Sequence, residues 1–180
     1  MVFMIKNKEL VVRPLIKDDA NKLVKWLSDP VILQFYEGRD NPFDLKKVHQ
    51  VFYTQNDQTS RCIIEWEGQA IGYIQYYPLD DDEKRTYGLN EEKGVYYGLD
   101  QFIGEEQYQN KGIGTTLIQT MIQFLINEKN VDRIVMDPQV ENARALACYE
   151  KCGFVKQKLL VKHEWHEGEY RDCWFIMYTA

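Results

Sequence analysis

The sequence predicts a mixed α+β domain, and three observations carry the prediction. Apolar runs of strand length, 61–66 and 69–77, meet at the tight-turn pair Glu67-Gly68. A helical stripe of Leu117, Ile118, Met121, Ile122, Leu125 and Ile126 follows the glycine pair in Q-N-K-G-I-G, Gln109 to Gly114. Two further strand-like runs, 154–165 and 170–178, flank His166-Glu167-Gly168.

Taken in order, Glu9 to Leu15 reads as a first strand closed by Pro14. Asp18 or Asp19 can cap a helix to about Leu27, with Ala20, Leu23, Val24 and Leu27 as its apolar stripe and Asp29-Pro30 as its breaker. The short apolar piece 31–36 leads to a loop, 37–42, and Asp44 caps a second helix over 45–53. After the 61–77 hairpin, Leu79 to Lys93 carries Asp80, Asp81, Asp82 and Glu83 in a row and reads as a long surface loop. An extended run from Val95 to Ile103 feeds the glycine loop, and the helix behind it ends at Asn130. Arg133 to Met136 is a short strand stopped by Asp137-Pro138. Asn142 opens a helix to about Lys151, which Gly153 ends, and the last two strands follow. The predicted order is β-αα-βββ-α-β-α-ββ, in one domain over 1–180 with no repeat or linker.

The chain has 180 residues, enough for one domain with a full core. A formal net charge of −6 argues against nucleic acid, which calls for a basic face, and suits a cationic partner. Met1 to Leu10 holds Lys6, Lys8 and Glu9 and no apolar core of a secretory signal, and no run of about 18 apolar residues suggests a membrane span. The expected compartment is therefore the cytoplasm, with Cys62, Cys148, Cys152 and Cys173 as reduced thiols. Cys148 and Cys152 lie four apart on a helix with no histidine at ligand spacing, so no metal site is expected.

The glycine loop sits where a strand hands over to a helix. The first helical turn has backbone N–H groups without intrahelical partners, which with the helix dipole suit a phosphate-type anion. Gly112 and Gly114 remove the Cβ atoms that would hold a ligand off the backbone. The pattern is not a P-loop, since no Lys-Ser or Lys-Thr pair follows the last glycine, nor a dinucleotide fingerprint, which needs a third glycine and a later acidic residue. On residues alone, a tight turn before a helix is an equal reading.

A second stretch changes that balance. D-P-Q-V-E-N-A-R-A-L-A-C-Y-E-K-C-G-F, Asp137 to Phe154, follows the glycine loop, and the pair in this order resembles the GCN5-related N-acetyltransferase (GNAT) superfamily over essentially the whole chain. Q-F-Y-E-G-R-D (Gln34 to Asp40), Y-G-L-D-Q-F-I-G (Tyr97 to Gly104), Asp137-Pro138 and H-E-W-H-E-G (His163 to Gly168) are similar to aminoglycoside 6'-N-acetyltransferases.

The resemblance implies acetyl-CoA as co-substrate and a cationic small molecule as acceptor, with a monomer or homodimer as the working unit. It implies a cofactor wall built from Phe102, Ile103, Gln109, Asn110, Lys111, Gly112, Ile113, Gly114, Thr115, Thr116, Asn142 and Ala145. A backbone N–H near Ile103 would polarise the thioester carbonyl. Asp100 is implied as general base, or as the group that orients the amine while water takes the proton. Tyr149 is implied as general acid, against a packing role, since a phenol is protonated at neutral pH. Asp137 would contact a ring amine or else serve the turn at Pro138, and Asn142 would meet the cofactor or only cap its helix. Tyr36, Glu37 and Asp40 are candidates for the substrate side, with Glu105 and Glu106 beside the glycine loop. Trp165 and His166 could border the pocket, with His163 and His166 structural. Two other activities fit the same residues: acetylation of a different amine (a siderophore, a polyamine or a protein N-terminus), and non-catalytic binding of acyl-CoA.

Overall fold

The computed structural model describes residues 4–180. Its strands are β1 (Ile5–Asn7), β2 (Leu10–Pro14), β3 (Ser60–Trp66), β4 (Gln69–Pro78), β5 (Tyr96–Ile103), β6 (Arg133–Met136), β7 (Val155–His166) and β8 (Glu169–Thr179). Its helices are α1 (Ala20–Trp26), α2 (Pro30–Leu33), α3 (Leu45–Val48), α4 (Asp81–Tyr87), α5 (Ile113–Lys129) and α6 (Ala143–Lys151). The strands form one sheet in the order β1-β2-β3-β4-β5-β6-β8-β7, antiparallel throughout except for β5 beside β6. The sheet is mixed and mostly antiparallel with helices on both faces, as the resemblance implies.

Alternation along the strands sends side chains to two cores. On one face, Ile64, Ile74, Leu99 and Ile134 pack with Leu117, Met121 and Leu125 of α5 and Leu146 of α6. On the other, Ile63 and Tyr73 pack with Leu23, Trp26 and Leu27 of α1 and with Phe43, Val48 and Phe52. A third, smaller cluster of Leu79, Leu89, Tyr96, Val135 and Phe175 lies under α4.

Most expected elements are present, with five differences, the first being that Asp29-Pro30 not only ends α1 but opens α2, Asp29 accepting from the Val31 N–H. The sheet gains β1, joined to β2 by a turn in which Lys8 has φ 54°. The segment 79–93 is not simply a loop: Asp80 accepts from the Glu83 N–H, Glu83 reaches back to the Asp80 N–H, and Gly88 closes α4 in the left-handed region. Asp44 caps α3 as expected, but the helix widens into a π-turn at His49–Tyr53. Asp19 does not cap α1 with its side chain. Arg13 instead donates to both its oxygens, at 2.8 and 2.9 Å, and the Ile16 N–H donates at 3.0 Å. Burial would raise the Asp19 carboxyl, but these hydrogen bonds win and its pKa is lowered. Its contribution to stability is therefore present above the ordinary carboxylate range and is lost as pH falls through the depressed value.

Gly72 and Gly104 mark close approaches between elements. A Cβ on Gly72 would collide with the Phe102 carbonyl oxygen of the paired strand β5, and one on Gly104 would enter the Trp26 ring. Gly72→Ala must push β4 away from β5, and destabilisation of about 1–3 kcal/mol is expected from overpacking. A lowered Tm in thermal unfolding checks it; an unchanged Tm would mean that the ladder absorbs the methyl group.

Candidate active site

The site follows from how β5 loses a neighbour. It pairs with β4 from Tyr97 to Ile103 but with β6 only at Tyr96, Tyr97 and Gly98. Beyond Met136 the chain turns at Asp137-Pro138 and stays with β8: the Trp174 N–H donates to Pro138 O at 2.9 Å and the Val140 N–H to Asp172 O at 3.0 Å. The stretch 99–103 therefore has no strand on its β6 side, and a wedge opens beside it.

Two cavities occupy this wedge. One, of about 380 Å³, runs along Gln101, Phe102 and Ile103 to Gln109, Asn110, Gly112, Gly114 and Thr115, and is closed by Asn142, Ala145, Cys148 and Tyr149. The other, of about 330 Å³, is lined by Glu37, Asp100, Asp137 and Glu164 with Gln75, Trp165 and His166. They share Phe35, Tyr36, Gln101, Asn142 and Tyr149, so they meet at the middle of the wedge.

The first cavity suits a phosphate-bearing, amide-rich arm. Asn110 and Gly112 both adopt left-handed conformations, φ 58° and 78°, next to the N-terminus of α5. Such loops present backbone N–H groups to anions. Nothing lies within 4 Å of where a Gly112 Cβ would be, so the loop is open at that position. Gln109 Nε2 donates to Ile103 O at 3.1 Å and ties the loop to the strand end. Asn142 does not cap α6 with its side chain, which leaves its amide on the wall of both cavities.

The second cavity is acidic. Asp100 sits opposite Gln75 in the β4–β5 ladder, and Gln75 Nε2 donates to Asp100 Oδ2 at 2.9 Å. Tyr73 Oη in turn donates to Gln75 Oε1 at 2.7 Å. Gly98 lets Tyr77 lie across β5, since a Cβ there would be 2.5 Å from the Tyr77 ring. Burial pushes Asp100 up to about 6, with nearby Asp137 adding to the rise and hydrogen bonds from Gln75 and Tyr77 opposing it. Glu37 and Glu164 are more exposed, but partial desolvation by the walls of the cleft raises them too. Tyr149 accepts from Gln101 Nε2 at 2.6 Å, and burial raises its phenol, so it holds its proton at neutral pH. His163 Nε2 donates to Asp137 Oδ2 at 2.7 Å. His166 bonds Gln34 O at 2.7 Å and, with the Arg39–Glu167 ion pair, pins the β7–β8 hairpin to the loop after α2.

Not every expected residue reaches the wedge. Asp40 is exposed and lies off both cavity walls, because the chain turns at Gly38, φ 109°, and Arg39 clasps Glu167. Glu105 is taken by Lys25 and the Trp26 indole N–H, and Glu106 is exposed. The Ile113 side chain is in the core, the Thr116 hydroxyl donates to Gly112 O, and Lys111 is exposed; none of the three lines the first cavity. Phe102 lines the first cavity but its ring packs on Tyr36, Tyr73 and Trp26. Gln75 and Tyr77 join the site from outside any motif, brought to Asp100 by strand register, while Gln101, Gln139 and Glu164 lie within motifs that gave them no role; Gln139 Nε2 donates to Glu164 Oε2 at 2.6 Å. No cluster of His, Cys, Asp and Glu among the described residues could hold a metal.

The chain belongs to the GNAT acetyltransferases: the family model described as Acetyltransferase (GNAT) domain matches residues 16–161. It is an acetyl-CoA-dependent N-acetyltransferase, and the first cavity has the shape and polar groups to take that co-substrate. Among named relatives, the aminoglycoside N(6')-acetyltransferase type 1 of Klebsiella pneumoniae is 28% identical over 154 residues, covering 84% of this chain and 76% of that protein. The spermidine N(1)-acetyltransferase of Vibrio cholerae is 31% identical over 100 residues, 53% of this chain and 58% of the relative. Of solved structures, aminoglycoside acetyltransferase AAC(6')-Ib in complex with ribostamycin and coenzyme A superposes with TM-score 0.77 at 25% identity, covering 96% of this chain and 94% of that one.

The electrostatics of Asp100 can be measured directly. Its carboxyl carbon should titrate near 6 by NMR. Gln75→Leu removes a hydrogen bond that stabilises the charged form, so the midpoint should move up. A midpoint in the ordinary carboxylate range in the parent protein would contradict the burial.

Proposed function

We propose that this enzyme, acting as one cytoplasmic domain, transfers acetyl from acetyl-CoA to the 6'-amine of aminoglycosides by direct attack in a ternary complex. The observation that carries the reading is the meeting of the two cavities at Gln101 and Tyr149, with four carboxylates lining one side and a glycine loop at the far end of the other. The similarity to aminoglycoside N(6')-acetyltransferases supports the same substrate class.

Acetyl-CoA supplies the activated acyl group; the chain supplies position and proton movement. Backbone N–H groups from Gln109 to Thr115 bind the pyrophosphate, while Ile103, Asn142 and Ala145 flank the arm. Asp100 first holds the substrate ammonium and then accepts its proton, which frees the lone pair for attack on the thioester carbon. With a pKa of about 6 it is mostly ionised at neutral pH yet basic enough to take a proton. As the C–N bond forms and the C–S bond breaks, Tyr149 gives its phenolic proton to the departing sulfur, and the second proton that the nitrogen sheds in becoming an amide restores the phenol. Asp137, Glu37 and Glu164 hold the other ammonium groups of the substrate.

Asp100→Ala should lower kcat by ~10²–10⁴ with acetyl-CoA binding intact, as for loss of a general base. Near-normal turnover would remove that role. Thiol release should appear with kanamycin and be weak or missing with paromomycin, which has a hydroxyl at the 6' position; equal rates would place the reacting amine elsewhere. Spermidine is the third arm, because of the likeness to a spermidine acetyltransferase, and a kcat/KM for it exceeding that for kanamycin would move the assignment to polyamines.

A further inference from the structure

Asp137 is held by one oxygen only. Its Oδ2 accepts from Tyr87 Oη at 2.9 Å and from His163 Nε2 at 2.7 Å. No other hydrogen bond to Asp137 occurs among the described residues, which leaves Oδ1 for the acidic cavity that Asp137 lines. The two donors differ in kind. His163 carries a charge when protonated and then neutralises Asp137, and its pKa is raised by that hydrogen bond. Tyr87 is kept protonated by burial, so it orients the carboxylate without cancelling its charge. Asp100, Glu164 and Glu83 are the other charged groups close enough to act on Asp137 electrostatically.

Tyr87 is the last residue of α4, a helix absent from the sequence reading. Its ring stacks on Phe175 with centroids 4.7 Å apart and planes 11° from parallel. It packs beside Leu79, Leu89, Tyr96 and Val135. Tyr87 is thus the one ring of an otherwise polar helix that reaches this cluster, and its hydroxyl meets Asp137 on the wall of the acidic cavity.

We propose that Tyr87 is a positioning residue, fixing one oxygen of Asp137 so that the other faces a second ammonium group of the substrate, which makes the 80–88 segment part of cation recognition. The proposal rests on the polycationic substrate assigned above. Tyr87→Phe keeps the stacked ring and removes only the hydroxyl. It should raise KM for kanamycin roughly 3–10-fold, the worth of one net hydrogen bond. Meanwhile kcat and KM for acetyl-CoA should stay within about twofold, since the loss falls on ground-state binding. Without substrate, the His163 imidazole should titrate at a higher pH in the variant, because Asp137 Oδ2 then has a single donor. A KM that does not move together with an unmoved His163 midpoint would overturn the proposal. If the parent protein fails to acetylate kanamycin, the substrate assignment falls, and the His163 titration alone then decides whether Tyr87 holds Asp137.

Discussion

Beyond Gly98, β5 and β6 diverge because the chain after Met136 hydrogen-bonds to β8 and not to β5. A β6 that continued alongside β5 would pair the main chain of Leu99 to Ile103 and close the gap. The parallel ladder instead ends at the Gly98–Val135 pair, and Pro138, three residues on, lacks the N–H that a continued strand would donate. Both cavities, the placement of Asp100 and the approach of Tyr149 from α6 depend on that divergence.

The gap gathers groups that would repel each other on an open surface. Asp100, Asp137, Glu37 and Glu164 line one cavity, and each of those whose ionisation is displaced is shifted toward its neutral form by desolvation first. A site of this kind is relieved by a bound polycation, which supplies the charge that the fold withholds. Gln75 and Tyr77 moderate the effect at Asp100 alone, so that carboxylate stays ionised near neutrality while remaining basic. The net charge of −6 read from composition is consistent with this local arrangement, though the useful part of it is concentrated in one cleft.

The layout was largely legible in the sequence, because long apolar runs, turn pairs and caps mark most elements locally. The β3–β4 hairpin, α5 with its left-handed Asn130 and the β7–β8 hairpin lie where periodicity and turn chemistry put them. β1 escaped because Ile5–Asn7 is three residues long and has one buried side chain. α4 escaped because four acidic residues in a row suggested a solvated loop, although the Asp80–Glu83 box and Gly88 were in plain view. Asp19 misled for the opposite reason: a good cap by type, it is claimed by Arg13. In the site, Asp100, Tyr149 and the glycine loop came from motifs. Gln75, Tyr77 and Tyr87 reach their partners through strand register and helix docking, which spacing along the chain cannot reveal.

β7 is the last strand of the sheet, with β8 as its only neighbour among the described strands. Its tip nevertheless carries Trp165 and His166 to the acidic cavity, while the acyl-carrier wall comes from β5, α5 and α6 near the centre of the molecule. Exchanges at the hairpin tip that keep the His166–Gln34 and Arg39–Glu167 contacts would thus break no second ladder. On the proposed roles, acceptor range and acyl donation are separable under selection: the terminal ribbon can drift toward new amines while the thioester seat is inherited unchanged.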